Sequence, residues 1–243
     1  METKVKVALI TGANKGIGYQ IARQLAQKNI TVLIGARNKL AGEQAALQLQ
    51  KDGLNAQFIE INLDQQETIL AACSLVEKKF GKLDILVNNA AFQTLDHQLP
   101  SQISPELLQR FMYTNYSAHV LITQCFLPLL KASGAGRIVN MSTSLGSVTI
   151  MSEPGHVNAR RNLLGYSSAK AALNMFTVLL AKELKGDNIK VNSADPGWAK
   201  TDLGGEGALL TPEEAAKVPV WLACLDEQGP SGGFFSHQNV NPW

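Results

Sequence analysis

Apolar runs of strand length alternate with segments of helical period along almost the whole chain, and this alternation narrows the possible folds more than any other feature. Val5 to Ile10, Ile30 to Ile34, Ala56 to Ile61, Asp84 to Val87, Arg137 to Met141 and Ile189 to Ala194 read as six strands, with Gly233-Phe234-Phe235 as a short last one. The runs are continuous rather than alternating, the pattern of strands covered by helices on both faces. Ile17, Ile21 and Leu25 recur at helical spacing. Further helices are predicted over about 38–52, 64–80, 104–130 and 166–184, and another opens at Thr211-Pro212-Glu213-Glu214. Gly53 and Gly81 end two of them, and Ser104-Pro105 starts a third with serine as cap and proline in the first turn. Residues 143–164 read as a long loop and 197–210 as a Gly-rich connection. The expected architecture is α/β: a single-domain, Rossmann-type doubly wound parallel sheet over residues 1–243, carrying both cofactor and substrate sites.

Composition removes several classes of function. Hydrophobic residues make up 45% of the chain and charged residues 17%, which suits a well-cored globular protein and not a disordered one. Lys and Arg number 22 against 20 Asp and Glu, and no basic run exceeds two residues, so neither a nucleic acid nor an anionic membrane is an expected partner. The charge-free stretch Phe111 to Leu130 holds Asn115, Ser117, His119, Gln124 and Pro128, and reads as a core helix rather than a membrane span. Cys73, Cys125 and Cys224 are far apart and are expected inside helices as small buried hydrophobes, as in a reducing compartment. The first residues show no apolar targeting core, so a cytoplasmic setting is expected. His97, His119, His156 and His237 lack metal-ligand spacing and are expected at the surface or satisfied in loops, with no metal site.

Thr11-Gly12-Ala13-Asn14-Lys15-Gly16-Ile17-Gly18 joins the first strand to the first helix. Glycines here let the backbone turn tightly and approach a pyrophosphate resting on the helix N-terminus. The spacing is G-x-x-x-G-x-G, and the plainer alternative is a turn that happens to be Gly-rich. The second strand indicates which dinucleotide. An NAD site needs an acid near its end, whereas this strand ends Gly35-Ala36-Arg37 and the next acid is Glu43. Arg37 and Lys15 can both offer charge-assisted bonds to a 2′-phosphate, so NADP(H) is expected; otherwise they are ordinary solvated cations.

Tyr166-Ser167-Ser168-Ala169-Lys170 opens a helix, and positions i and i+4 share a face. Reducing a carbonyl requires a proton for the oxygen that gains charge. A phenol with its pKa near 10 is badly matched to pH 7, and lowering it by about 3 units needs ~4 kcal/mol. One cation at ~4 Å supplies roughly that at an effective dielectric of 20, so Lys170 is expected to tune Tyr166. The alternative is a core aromatic with its hydroxyl bonded to a loop.

Several motifs now fall in order over nearly the whole chain: T-G-x-x-x-G-x-G at 11–18, N-N-A at 88–90, Asn115, the strand Arg137 to Ser142, Y-x-x-x-K at 166–170, and Asp195-Pro196-Gly197 with Thr201. Together they resemble the short-chain dehydrogenase/reductase family, and within it the monomeric carbonyl-reductase-like group. The resemblance implies NADPH-dependent interconversion of an aldehyde or ketone with its alcohol. Tyr166 would be the acid/base, and Lys170 would lower its pKa and bind the nicotinamide ribose. Asn115 would hold a water in a relay to Lys170. Gly12, Asn14, Lys15, Gly16, Ile17, Gly18 and Arg37 would hold the phosphates. Asn62 and Leu63 would face the adenine, with Asn62 where the family usually has Asp. Asn88 and Ala90 would line the adenosine ribose, and Pro196, Gly197, Ala199 and Thr201 would frame the nicotinamide.

The chain departs from the family at Ala91, where glycine is usual, and at the substrate-orienting serine. That position, three residues after Asn140, is Thr143; Ser144 is the fallback if the strand ends early. Phe92, Leu145, Met151 and Trp198 are candidate pocket walls for an apolar carbonyl compound, beneath a mobile flap formed by 198–210. The long loop before Tyr166, with Arg160 and Arg161, could shield the helices through which family tetramers form, which favours a monomer over a homo-oligomer. A non-catalytic NADP-binding redox sensor remains the alternative function, although a sensor gains nothing from Asn115, Tyr166 and Lys170 together.

Overall fold

The computed structural model describes residues 5–94 and 98–243. One eight-stranded sheet runs through it in the order β3-β2-β1-β4-β5-β6-β7-β8. The strands are β1 (Val7–Thr11), β2 (Thr31–Ala36), β3 (Ala56–Glu60), β4 (Ile85–Asn88), β5 (Arg137–Met141), β6 (Lys190–Ala194), β7 (Phe234–Ser236) and β8 (Asn239–Val240). All pairings are parallel except β7 with β8. The chain builds outward from β1 through β2 to β3, then returns to start again at β4 beside β1. The C-terminal ends of β1 and β4 therefore border the switch point of the sheet, where open α/β sheets bind their ligands.

The side chains of β1 show why both faces are covered. Ala8 and Ile10 point into one core with α1 (Gly16–Ala26), α2 (Lys39–Lys51) and α9 (Lys217–Ala223). Val7 and Leu9 point into the other, with α3 (Gln66–Phe80), α5 (Ala118–Ala132) and α7 (Leu164–Glu183). Ser104 caps α4 (Pro105–Met112) by accepting a bond from Leu107 N, as its position before proline predicts. Thr211 and Glu214 form a reciprocal capping box on α8 (Pro212–Ala215).

The structure departs from the expectation in five places. The helix predicted over 104–130 is interrupted between α4 and α5 by a π turn, Tyr113–Ser117. The 143–164 loop holds two 3₁₀ turns (Ser144–Gly146 and Val157–Arg160) and the short α6 (Val148–Ser152). The helix after Thr211 divides into α8 and α9, and β8 returns antiparallel on β7. Cys73 and Cys125 lie half-buried on α3 and α5 as expected, whereas Cys224, at the end of α9, is exposed.

A buried row of polar side chains crosses the middle of the sheet. Asn88, Asn140 and Ser193 stand in register on β4, β5 and β6. Asn88 Nδ2 donates to Thr123 Oγ1 (3.0 Å) and to Asn140 Oδ1 (2.8 Å). Asn140 Nδ2 donates to Thr177 Oγ1 (2.9 Å), which lies 2.8 Å from Ser193 Oγ. The row thus links α5, three strands and α7.

No helix among the described residues is long and apolar enough to cross a membrane. Met175 and Leu179 stay exposed on α7. The residues before Tyr166 therefore leave that part of the helix open.

Candidate active site

Because β1 to β6 run parallel, the residues just past their C-terminal ends share one edge of the sheet. There lie the glycine loop after β1, Arg37 after β2, Asn62 and Leu63 after β3, Asn89 to Phe92 after β4, Thr143 and Ser144 after β5, and Asp195 to Thr201 after β6. The topology alone collects most of the expected site.

The glycine loop has the shape its sequence requires. Gly12 and Gly16 adopt positive φ (64° and 59°), and a Cβ on Gly12 would lie 2.9 Å from Ala90 Cα. Thr11 Oγ1 accepts bonds from Asn89 N and Ala90 N, closing this loop against the one after β4. Lys15 at the N-cap of α1 makes no capping bond, and the first turn carries no acid, so the N-terminal amides stay open to an anion. Asn14 and Ile17 are half-buried beside them, and Gly18 is buried, where a Cβ would strike Asn89 Nδ2 at 2.5 Å. Arg37 is exposed. Leu63 is buried, and Asn62 Oδ1 accepts a bond from Asp64 N. Ala91 is not among the residues with positive φ, so the family's glycine is not needed there. Asn88 departs from expectation: fully buried and committed to Thr123 and Asn140, its side chain faces the helix layer rather than a ribose.

Tyr166 and Lys170 lie one turn apart on α7, 8% and 1% exposed. Gln98 seats the start of this helix: its carbonyl accepts from Leu164 N and its Oε1 from Tyr166 N. Lys170 Nζ donates to Met141 O (2.6 Å) at the end of β5 and stands 5.7 Å from the centroid of the Tyr166 ring. The two groups share a face, but no direct bond joins them. Burial brings the Lys170 ammonium down to about 7. The phenol moves the opposite way from expectation: burial, and then the charge of Asp195, push it well above its ordinary value. Desolvation is the largest influence on the phenol.

Asn115 lies in the π turn, fully buried, and clamps Phe92 by two bonds: its Oδ1 accepts from Phe92 N (2.8 Å) and its Nδ2 donates to Phe92 O (2.9 Å). Both ends of its side-chain amide are therefore engaged by the Phe92 backbone. Thr143 and Ser144 separate clearly. Thr143 Oγ1 accepts from Leu145 N (3.3 Å), which leaves its proton to donate. Ser144 Oγ donates to Asp195 Oδ2, so the fallback position is occupied by another partner. Gly146 lets this turn press on α7, since a Cβ there would lie 2.9 Å from Lys170 Cβ.

The expected pocket walls divide. Leu145 and Met151 are half-buried beside the site, on the turn after β5 and on α6. The Phe92 ring is tucked between Phe111, centroids 5.0 Å apart, and the Arg110 guanidinium 4.0 Å above it. Trp198 is 46% exposed, with its indole N–H on Gly204 O (2.8 Å) and the Arg161 guanidinium 5.3 Å from its ring. The 198–210 segment is laced internally by Lys200 N to Leu210 O and by Leu209 N and Leu210 N to Trp198 O. Ala199 is buried and forms a bridge with Leu210. Thr201 meets the glycine loop, its Cγ2 lying 3.3 Å from where a Cβ on Gly16 would stand. Pro196 is half-buried and Gly197 exposed, with φ 75°. Asp202 reaches Lys15, Nζ to Oδ2 2.5 Å.

Two groups escaped the sequence reading. His119, expected in a loop or at the surface, is fully buried on α5, one turn beyond Asn115. Neither ring nitrogen finds a hydrogen bond of good geometry, although the Ala90 backbone lies close enough to favour the protonated form. Burial, and then the Lys170 charge, bring its pKa down to about 3. Asp195 was read only as part of a motif; the available signal was an acid directly after an apolar strand at the ligand-binding edge. Of the other histidines, His156 Nδ1 accepts from Asn158 N, His237 lies in an exposed turn, and His97 falls outside the described residues. The described residues contain no metal-binding cluster.

Comparison with known proteins identifies the family to which this fold belongs. The family model described as short chain dehydrogenase matches residues 6–208. "Carbonyl reductase [NADPH] 1" of Sus scrofa is 34% identical, covering all of this chain and 96% of the relative. (-)-Isopiperitenone reductase of Mentha piperita is 32% identical over 95% of this chain and 96% of its own. The crystal structure of NADPH-bound carbonyl reductase from chicken fatty liver superimposes with a TM-score of 0.85 at 28% identity, covering 99% of this chain and 100% of that one. A shared fold over nearly the whole of both chains, a relative 34% identical over its length and a family match over most of the chain lead to one conclusion: the chain belongs to the short-chain dehydrogenase family.

Proposed function

We propose that this protein is an NADPH-dependent oxidoreductase that reduces an aldehyde or ketone to an alcohol. The observation that carries the reading is that Lys170, one turn from Tyr166 on α7, bonds the carbonyl of Met141 at the end of β5, two residues before Thr143. Relatives named as NADPH carbonyl reductases support the same chemistry and cofactor.

The residues present fit the dinucleotide. The uncapped N-terminus of α1 and the bare Cα atoms of Gly12 and Gly16 suit a pyrophosphate, with Asn14, Ile17 and Gly18 completing the turn. Arg37 and Lys15 suit a 2′-phosphate. Asn62 and Leu63 would flank the adenine and Ala90 its ribose, Lys170 would hold the nicotinamide ribose, and Pro196, Gly197, Ala199 and Thr201 would frame the ring. When bound, NADPH supplies the hydride, and its oxidised ring adds the positive charge that helps stabilise a phenolate.

The protein moves the proton. Thr143 donates to the substrate carbonyl and fixes its position. As the carbonyl carbon takes the hydride pair, Tyr166 Oη gives its proton to the carbonyl oxygen, and the alcohol leaves a phenolate behind. The phenolate then regains a proton, and the Lys170 ammonium on the same face of the helix, 5.7 Å from the ring, steadies the anion until it does. The buried surroundings of Tyr166 keep it protonated until the hydride moves. Leu145, Met151 and Trp198 offer an apolar wall to the substrate. A cytoplasmic setting fits three unpaired cysteines.

The test is NADPH oxidation with benzaldehyde, acetophenone and cyclohexanone. Turnover on at least one is expected, and Tyr166→Phe should reduce it by about 10²–10⁴-fold while still binding NADPH. NADPH binding without turnover on any carbonyl would favour the redox-sensor reading.

A further inference from the structure

The chain turns back after β7 through His237-Gln238, two residues with positive φ (46° and 65°), the backbone form that two-residue hairpins favour. β8 pairs with β7, and the residues after it stay on the same strand: Asn241 N donates to Phe234 O (2.7 Å), and Ser236 Oγ donates to Asn241 Oδ1 (2.7 Å). Trp243 then stacks on Phe234, with ring centroids 5.6 Å apart and planes 20° from parallel. Phe234 is fully buried, so the indole rests on the core itself.

Trp243 also reaches α6. Its main-chain oxygen accepts from Thr149 N (3.0 Å) in the first turn of that helix, while Ser147 Oγ accepts from Ile150 N (3.1 Å). First-turn N–H groups have no partner inside their own helix. Here one is answered by the helix's own cap and another by the segment after β8. Among the described residues, the bond to Trp243 is the hydrogen bond that joins α6 to a distant part of the chain.

The neighbouring turn is held differently. Ser144–Gly146 is pressed on α7: Asn174 Nδ2 donates to Gly146 O (3.3 Å), and a Cβ on Gly146 would lie 2.9 Å from Lys170 Cβ. Thr143, which comes just before that turn, is thus fixed from α7. α6, which comes just after it and carries Met151, is braced by Trp243.

We propose that Trp243 is a specificity-determining positioning residue: stacked on Phe234 and bonded to the first turn of α6, it sets where the Met151 wall stands and so how tightly a bulky carbonyl compound is held. This rests on the reading of the protein as a carbonyl reductase with Met151 against the substrate.

The experiment is steady-state kinetics with acetophenone, or the best carbonyl of the panel, at saturating NADPH, together with NADPH affinity from the fluorescence of the cofactor. Trp243→Ala should raise KM by about 10-fold and leave kcat and NADPH affinity within about twofold, because an apolar wall meets substrate and transition state alike. Trp243→Phe, which can still stack on Phe234, should keep KM within about twofold of the parent. If alanine prevents folding, Trp243→Leu keeps apolar bulk without an aromatic face and is read the same way. A KM within about twofold of the parent in the variants without a ring, a fall in kcat at unchanged KM, a parallel loss of NADPH affinity, or a phenylalanine variant as impaired as the alanine one overturns the proposal and leaves Trp243 structural. Failure of the underlying reading looks different: Tyr166→Phe would then keep its turnover.

Discussion

Thr143 and Ser144 are adjacent hydroxyls, and their partners decide which can meet a substrate. The Thr143 oxygen accepts one weak bond and keeps its proton to give, whereas the Ser144 proton is spent on Asp195. Thr143→Ala should therefore lower kcat/KM by about 10²-fold, in line with removing one donor to a developing oxyanion, and Ser144→Ala should change it only a few-fold. Steady-state kinetics on the same carbonyl checks both, and the reverse order would assign the role to Ser144. Counting from Asn140 along the strand made Thr143 legible in the sequence. His119 was not legible in this way: an uncharged helix shows that it is buried somewhere, but not which of its residues face the sheet. Its environment has a consequence in acid. The folded state holds His119 near 3 and the unfolded chain near 6.5, so between those values the unfolded chain binds the extra proton. The stability contributed by neutral His119 is present above 6.5 and is lost progressively as pH falls towards 3. His119→Gln should narrow the difference in Tm between pH 7 and pH 4.5; an unchanged difference would mean that other groups set the acid sensitivity.

Among the elements, the loop from β1 into α1 was legible to the residue, because the turn demands glycine where φ is positive and where Ala90 presses on Gly12. The π turn was not, since a slipped hydrogen-bond register inside a helix leaves no signature in residue spacing. The self-bonded 198–210 segment shows a different limit. Its glycines suggested mobility, but its fastenings are long-range: Lys15 to Asp202 on one side and Arg161 to Trp198 on the other. Both Lys15 and Asp202 are exposed, so the pair itself adds little stability. It does, however, occupy the cation that a 2′-phosphate would use. Asp202→Ala should tighten NADPH binding a few-fold at low salt, and Arg37→Asp should weaken NADPH by about 10-fold or more while sparing NADH. Fluorescence titration with the two cofactors measures both effects. Equal losses for NADPH and NADH in Arg37→Asp would separate Arg37 from the phosphate.

At the scale of the molecule, the doubly wound sheet followed from the rhythm of apolar runs, because continuous strands have no solvent-facing side. The β7–β8 hairpin escaped for the complementary reason: β8 is two exposed residues long and buries nothing that a hydrophobic pattern could report. Asn88 was misplaced because its motif was read without the parity of its strand, which puts it in register with Asn140. That row of amides and hydroxyls makes its own prediction. Asn140→Leu strands donors or acceptors on both neighbours, each worth ~1–3 kcal/mol when buried, so urea unfolding should show a loss of at least about 2 kcal/mol; a smaller loss would mean that the neighbours re-pair. The row also constrains how such a chain can drift over generations. Each of the five side chains pairs with the next, so substitutions in this tract should be tolerated in matched sets more readily than singly.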